Sequence, residues 1–210
     1  TDLNLPEVDA ILLAETDGYT QEETRYQMKK VMEVFHKNNA QEVREANTAE
    51  EEAELWKARK SAYAVLARIK THFALEDVTV PMSKVADLLK GVDAIGRKHA
   101  IQIATFGHAG DGNLHPNISY DRRNPEELRR VLEAGDEMMR ACIEAGGSLS
   151  GEHGIGLEKL SAMPWLFSAE DLSVMCRVRE AWDPERRMNP GKLLPMRACM
   201  ETRMRAPGAT

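Results

Sequence analysis

The chain has 210 residues, of which 42% are hydrophobic and 30% are charged; this suits one large domain or two small ones with a real core. Its formal net charge of −6 argues against nonspecific binding to nucleic acid, and no apolar run approaches the roughly 18 residues of a membrane span. No signal peptide is visible, and the three widely spaced cysteines form no CxxC pair, so the sequence predicts a protein of a reducing, cytoplasmic compartment.

Hydrophobic periodicity predicts alternating strands and helices in the first part of the chain. These are a buried strand, a helix, a short strand and a second helix, at residues 9–15, 21–37, 41–46 and 48–69. The second helix begins with a capping-box pattern, in which Thr48 is the N-cap and Glu51 follows three residues later. A β-rich stretch at residues 72–80 then stops at Pro81.

In the second part of the chain, the same patterns predict a third helix that Ser83 caps (83–98) and two strands around a glycine-rich turn (101–106 and 114–120). A fourth helix (124–146), a short strand (148–150) and a last helix (168–181) are expected to follow. Asn124 and Ser168 are the expected N-caps of the last two helices. This order predicts an α+β fold, with a ferredoxin-like antiparallel sheet, helices on one face and further C-terminal helices. We expect one domain over residues 1–195 and a weakly ordered tail at residues 196–210.

The segment GHAGDGNLHPN, at residues 107–117, predicts a β-hairpin with Asp111 and Gly112 as a two-residue type I′ turn. That turn would place His108 directly opposite His115, on one face of the sheet. Phe106 and Asn117 should share this face, because side chains alternate along a strand. Two imidazoles placed in this way can bind one metal ion.

The segment SGEHGIGLEK, at residues 150–159, places Glu152 and His153 between glycines, where the backbone can approach a ligand closely. Two histidines and one carboxylate match the ligand set of a catalytic zinc or another transition metal with open positions. The sequence leaves open whether the two segments converge. The glycines could equally serve turns, and Glu152 with His153 could form an ion pair within the loop.

Two further polar positions have both a functional and a structural interpretation. Arg59 lies on the apolar stripe of its helix, where it could bind a carboxylate or could extend its charged end to solvent. Asn189 and Lys192 form a polar turn that could simply end the last helix. The residues alone do not decide between these interpretations.

Taken together, five segments resemble the C-terminal domain of FAD-linked oxidases, a family that includes glycolate oxidase, D-lactate dehydrogenase and D-2-hydroxyglutarate dehydrogenase. The segments are LWKAR (55–59), EDVTVP (76–81), GHAGDGNLHPN, SGEHGIGLEK and AWDPERRMNPGKLLP (181–195), and they occur in the family's order. GHAGDGNLH and GEHGIG are specific as a pair. The resemblance extends from about Asp9 to Pro195.

The resemblance implies a role for each matching residue. His108, His115 and Glu152 would hold a divalent metal, with zinc as the expected ion, and the metal would bind the α-hydroxyl and one carboxylate oxygen of the substrate. His153 would be the general base that takes the hydroxyl proton.

The remaining matches concern the substrate and the flavin. The resemblance implies that Arg59 pairs with the substrate carboxylate and that Asn117 orients the substrate or a metal ligand. Asn189 and Lys192 would lie toward the flavin. Leu75 stands where some relatives that prefer dicarboxylates carry a basic residue, which favours a small monocarboxylate such as glycolate or D-lactate.

The implied function is that of the substrate-binding portion of an FAD-dependent 2-hydroxy-acid oxidoreductase that lacks its N-terminal flavin-binding domain. A hydride would pass from the substrate to FAD in that domain, supplied in cis or by a separate chain, so the isolated chain should be inactive. No nucleic-acid partner is expected, the electron acceptor is not specified, and a homodimer is an open alternative. A non-redox metal-binding or interaction module and a metallohydrolase are the competing hypotheses.

Overall fold

A computed structural model describes residues 6–70 and 72–195. The chain forms two compact units that divide between Val65 and Leu66. The predicted tail at residues 196–210 lies outside the described residues, and the extent of the predicted domain stays a prediction. No helix in the described ranges is both long and apolar enough to cross a bilayer.

The first unit contains helix α1 (Gln21–Lys37) and most of helix α2 (Ala49–Ile69). The capping box predicted for α2 is confirmed, because the Glu51 N–H donates to the Thr48 hydroxyl and the Glu51 carboxylate accepts the Thr48 N–H. Both helices therefore begin where local sequence signals place them, α1 after the Thr20 cap and α2 after Thr48.

The strands predicted at residues 9–15 and 41–46 are wrong, since neither stretch forms a strand. A strand must pair its backbone N–H and C=O groups with a neighbour, and the described part of this unit contains no strand that could pair with them. The apolar run at residues 11–13 is accordingly exposed, with Ile11 at 56% and Leu12 at 60%. Apolar composition identified a β-like segment but not a partner for it.

The second unit is built on an antiparallel sheet with β4 (Asn113–Tyr120) at its centre. On one side of β4 lies β3 (Gln102–His108). On the other side lie β1 (His72–Leu75) and β2 (Val78–Thr79), which keep one register along β4 and so form a single interrupted edge. A single bridge between Thr79 and Ser148 continues the sheet outward.

This strand arrangement confirms the predicted ferredoxin-like α+β fold. The interrupted edge, α3 (Val85–His99), β3, β4 and α4 (Pro125–Glu144) follow one another as β-α-β-β-α, and the bridge at Ser148 stands where the last strand of that motif would run. The predicted strand at residues 148–150 is thus reduced to one bridged residue. Two C-terminal helices follow, α5 (Met163–Leu166) and α6 (Ala169–Trp182).

The helix boundaries in the second unit agree with local signals in two of three cases. The Asn124 side chain accepts the N–H groups of Glu126 and Glu127 at the start of α4, and Ser168 forms a capping box at the start of α6. The predicted Ser83 cap is wrong, because Ser83 lies inside a 3₁₀ turn (Met82–Lys84) that precedes α3 and makes no capping bond there.

The two faces of the sheet have different surroundings. Val78, Leu114 and Ile118 belong to the hydrophobic core that Val92 of α3 and Met138 of α4 complete. Alternation of side chains directs the odd-numbered residues of β4, which are Asn113, His115, Asn117 and Ser119, to the opposite face. All four are buried. The sheet therefore buries polar side chains on the face that the core does not use.

Candidate active site

The two glycine-rich segments converge on this polar face. Oε1 of Glu152 lies 3.0 Å from Nε2 of His115 and 3.9 Å from Nε2 of His108. The two imidazole rings stand edge to face with their centroids 5.6 Å apart, and one potential ligand atom from each of the three residues lies within 4.8 Å of the others. The structure thus brings together the three residues predicted as metal ligands, while their role stays a prediction.

The hairpin reaches this geometry with a register that differs from the predicted one. His108 lies opposite Asn113 and Phe106 lies opposite His115, so the predicted direct pairing of His108 with His115 is wrong. The loop has four residues instead of two. A type I′ turn needs a positive φ at Asp111 as well as at Gly112. Gly112 has a φ of +73°, but Asp111 does not have a positive φ, and its N–H donates to the His108 carbonyl at 2.9 Å. The shift amounts to two residues, so His108 and His115 remain on the same face as diagonal neighbours.

His153 lies beside the three converging residues. Its ring stacks on that of His115, with centroids 5.1 Å apart and an interplanar angle of 7°, and its Nε2 is 3.7 Å from Oε1 of Glu152. The His153 side chain is 40% exposed, whereas that of His115 is only 4% exposed. An imidazole with this exposure can exchange protons with a bound molecule or with solvent.

Asp77 organises the loop that carries Glu152 and His153, and its part in the site was not predicted from the sequence. Its carboxylate is fully buried and accepts the Ser150 hydroxyl at 2.7 Å and the N–H groups of Gly151, Glu152 and His153 at 3.1, 3.1 and 2.8 Å. The only available signal was its place in the segment EDVTVP, which marked the family and gave Asp77 no role.

A buried ammonium compensates the Asp77 charge. Nζ of Lys159 donates to the carbonyl oxygens of Asp77 and Leu149 at 2.9 and 2.7 Å, and it lies 3.7 Å from the Asp77 carboxylate. Burial alone would raise the pKa of Asp77, but the Ser150 hydroxyl, the loop N–H groups and Lys159 together hold that pKa at about 2. Asp77 is therefore an anion at neutral pH.

The buried candidate ligand His115 has the protonation state that a metal needs. Burial lowers the pKa of His115, although Glu152 and Asp77 oppose the effect, so the ring is neutral at pH 7 as ligation requires. Nδ1 of His115 is buried without a hydrogen-bond partner among the described residues. Two imidazole nitrogens and one carboxylate oxygen, with two of the side chains half exposed, fit a three-ligand metal site that leaves a position open.

A second group of potential ligands, Asp77, His115 and His153, also lies within 4.8 Å. Asp77 already accepts bonds from four residues and lies beside the Lys159 ammonium. A cation bound there would have to displace these donors and would be repelled by Lys159. The group of His108, His115 and Glu152 is therefore the better metal site.

Asn117 lies under His115 on the same face. It is fully buried, and its Nδ2 donates to the carbonyl oxygens of His115 and Ala104 at 2.6 and 3.2 Å. These bonds support the backbone of strand β4, which carries His115. Whether Asn117 also orients a substrate stays a prediction.

The remaining predicted site residues are Arg59, Asn189 and Lys192. Arg59 is on α2, within the first unit, with its guanidinium 5.9 Å from the Tyr63 ring centroid, and its contact with a substrate stays a prediction. Asn189 and Lys192 bond to each other at 3.1 Å, in a turn whose carbonyls accept from Arg179. This turn lines a different cavity from the one that His108 and Glu152 line.

Comparison with known proteins agrees with these features. The family model described as "FAD linked oxidases, C-terminal domain" matches residues 2–193. Glycolate oxidase subunit GlcD of Bacillus subtilis is 42% identical over 184 residues, covering 88% of this chain and 39% of the relative. The GlcD subunit from Escherichia coli K12 is 35% identical over 196 residues, covering 93% of this chain and 39% of the relative.

A mitochondrial D-lactate dehydrogenase [cytochrome] of Arabidopsis thaliana is 34% identical over 190 residues, which are 88% of this chain and 32% of the relative. A solved structure of 4-ethylphenol oxidase from Gulosibacter chungangensis has a TM-score of 0.50 and 22% identity, covers 82% of this chain and 38% of that protein, and supports the fold alone. The chain spans about two fifths of the length of its GlcD relatives. It belongs to the family of FAD linked oxidases, as a C-terminal domain of that family.

Proposed function

We propose that this chain is the substrate-binding portion of an FAD-dependent 2-hydroxy-acid oxidoreductase of the glycolate or D-lactate type. The observation that carries the proposal is the convergence of His108, His115 and Glu152 with His153 beside them. The relatives named as glycolate oxidase and D-lactate dehydrogenase support the substrate class. The flavin would lie in a companion domain, in cis or in a separate chain.

His108, His115 and Glu152 would hold the divalent metal, with zinc as the expected ion. When bound, such a metal polarises the α-hydroxyl of the substrate and makes its proton easier to remove. His153 would accept this proton at Nε2, which is 3.7 Å from Oε1 of Glu152 and therefore close to the ligand group. The stacking of His153 on buried His115 fixes the plane of the accepting ring.

The other residues would bind and orient the acid. Arg59 would pair with the substrate carboxylate, and Asn117 would orient the substrate or a metal ligand. Leu75, opposite Asn117 in the sheet, offers no charge to a second carboxylate, which favours a small monocarboxylate. Asn189 and Lys192 would face the companion domain, whose flavin supplies the acceptor for the Cα hydride. The product is then a 2-oxo acid.

Metal content is the first test. The protein is purified without chelator, supplied with zinc, and analysed for metal as the wild type and as the variants His108→Ala and Glu152→Ala. We expect about one metal per wild-type chain, as in a single three-ligand site, and loss of it in both variants. Glu158→Ala, which removes an exposed carboxylate from the same segment, is the matched control and should keep the metal. A wild-type chain without metal would refute the proposed site.

Activity is the second test, on the chain joined to its flavin-binding domain. Dye-linked oxidation of glycolate and D-lactate should appear with the flavin domain and not with zinc alone. His153→Gln should lower kcat by about 10²–10⁴, the usual contribution of a general base. Hydrolytic turnover by the zinc-loaded chain, or metal binding without any oxidation, would favour the competing hypotheses instead.

A further inference from the structure

Asp77 contacts both halves of the proposed metal site, although the proposed reaction assigns it no role. We propose that Asp77 is a positioning residue: its carboxylate holds the Glu152 loop in place beside His115 and thereby raises the affinity of the site for its metal. This inference rests on the proposed function, because it concerns the affinity of that same site for its metal. It follows from the hydrogen bonds of the Asp77 carboxylate and from the sheet register.

The loop depends on Asp77 for its backbone bonds. Oδ2 of Asp77 accepts the Ser150 hydroxyl and three consecutive N–H groups, those of Gly151, Glu152 and His153. Hydrogen bonds to a carboxylate are stronger than bonds between neutral groups. Because Glu152 and His153 lie within this bonded stretch, the Asp77 carboxylate fixes the backbone position from which both side chains extend.

The sheet register brings the same carboxylate to His115. β1 and β2 pair with β4 in one register, and Asp77 lies in the gap between them, opposite His115. Oδ1 of Asp77 is 3.9 Å from Nδ1 of His115. That distance is too long for a hydrogen bond, and Oε1 of Glu152 lies closer to the ring, 3.0 Å from Nε2. Asp77 therefore does not decide which ring nitrogen carries the proton before a metal binds.

The two oxygens of Asp77 divide these tasks. Oδ2 accepts all four donors, whereas Oδ1 shares only the Glu152 N–H, at 3.3 Å. Oδ1 therefore keeps acceptor capacity on the side of His115. A metal-binding histidine commonly directs its other ring N–H to a carboxylate, which fixes the tautomer and makes the ligand nitrogen more basic. When a metal occupies Nε2, the neutral His115 ring would carry its proton on Nδ1, the nitrogen that faces Oδ1 of Asp77 at 3.9 Å.

The test measures zinc affinity by competition with a chromophoric chelator, for the wild type, Asp77→Asn and the control Glu76→Gln. The two variants remove one carboxylate each from adjacent positions, but Glu76 makes none of the loop contacts that Asp77 makes. We expect Asp77→Asn to raise the zinc dissociation constant by about 10–100-fold, as loss of an outer partner does, and Glu76→Gln to leave it unchanged. Circular dichroism confirms that each variant is folded during the titration.

An amide-proton measurement separates positioning of the loop from simple support of the fold. In hydrogen-exchange NMR of the metal-free wild type, the N–H groups of Gly151, Glu152 and His153 should be protected, because they donate to the Asp77 carboxylate. In folded Asp77→Asn these three N–H groups should lose protection while the amides of α4 keep theirs. A residue that only supported the fold would lower protection in both places. If Asp77→Asn does not fold, the wild-type chain decides, and unprotected N–H groups at these three positions overturn the inference.

The outcomes distinguish the inference from the proposed function. A wild-type chain that binds no zinc refutes the proposed metal site itself. Wild-type binding that is retained at equal affinity in folded Asp77→Asn leaves the metal site intact and overturns the role of Asp77. Complete loss of binding in folded Asp77→Asn, with His108→Ala still binding zinc, would make Asp77 a direct ligand, which also overturns the inference.

Discussion

Gly151 precedes Glu152 in the loop and packs closely against Thr79 and Asn113. A Cβ atom at this position would lie 2.2 Å from Oγ1 of Thr79 and 2.7 Å from Nδ2 of Asn113. Gly151→Ala must therefore push the loop, or these two side chains, outward. Because Gly151 N–H donates to Asp77, a moving loop would also lengthen the bonds that position Glu152.

The magnitude follows from two opposing effects. Overpacking a well-filled site costs about 1–3 kcal/mol, and replacing a flexible glycine by alanine returns about 0.4–1 kcal/mol through the unfolded state. We expect Gly151→Ala to lower the free energy of unfolding by about 1–2 kcal/mol, and zinc affinity to fall because Glu152 moves away from His115. Urea unfolding and chelator competition measure the two effects.

The matched control is Gly110→Ala, in the other glycine-rich segment. A Cβ atom at Gly110 would have no neighbour within 4 Å, and Gly110 does not have a positive φ. Gly110→Ala should therefore leave the free energy of unfolding in urea unchanged or raise it slightly. A second control combines Gly151→Ala with Thr79→Ala, which removes the closer obstacle and should recover part of the loss, since neighbouring residues couple. Equal stability of Gly151→Ala and Gly110→Ala would refute the reasoning.

Three further predictions concern stability. The pKa of Asp77 is held at about 2, below the ordinary aspartate pKa of about 3.9, so its carboxylate should stabilise the metal-free fold by about 2–3 kcal/mol above about pH 3.9 and lose this stabilisation as the pH falls toward 2. The difference in urea-unfolding free energy between wild type and Asp77→Asn should therefore shrink from pH 5 to pH 2. A constant difference would contradict the lowered pKa of Asp77. Met138 of α4 is fully buried, and Met138→Ala should lower the free energy of unfolding by about 2–5 kcal/mol. Leu132 is 63% exposed, and Leu132→Ala should change that free energy by less than about 0.5 kcal/mol in urea unfolding. Similar losses in the two variants would contradict the place of Met138 in the core. Asn124→Ala removes the acceptor for two N–H groups at the start of α4 and should cost about 1 kcal/mol in the same assay, and an unchanged midpoint would show that the cap contributes nothing.

The structural features that the sequence predicted correctly are those that depend on contacts between residues close together in the chain. The caps at Thr48, Asn124 and Ser168 each satisfy backbone groups two to three residues away. The strands predicted at residues 9–15 and 41–46 failed for the opposite reason. Their apolar pattern is local, but a strand is stable only with a partner that local sequence does not specify.

The contribution of Asp77 to the site could not be predicted in this way. Its bonds to residues 150–153 span sequence separations of 73 to 76. The periodicity of residues 72–80 predicts only that they are β-rich, and no rule of spacing connects a carboxylate there with N–H groups in a distant glycine-rich loop. The family resemblance supplied the candidate ligands but gave no role to the carboxylate that bonds to their loop.

The hairpin shows why the ligand cluster was nevertheless predictable. The predicted type I′ turn at Asp111 and Gly112 displaced the register by two residues, because Asp111 does not take the positive φ that this turn needs. Which face a side chain occupies depends only on whether the register shift is even or odd. An even error exchanges direct neighbours for diagonal ones, so His108 and His115 still meet at 5.6 Å between ring centroids. An odd error would have sent one imidazole into the core beside Leu114. The convergence of these residues therefore required only the correct parity from the sequence. The exact pairing depends on the backbone conformation of the four-residue loop, which parity does not specify.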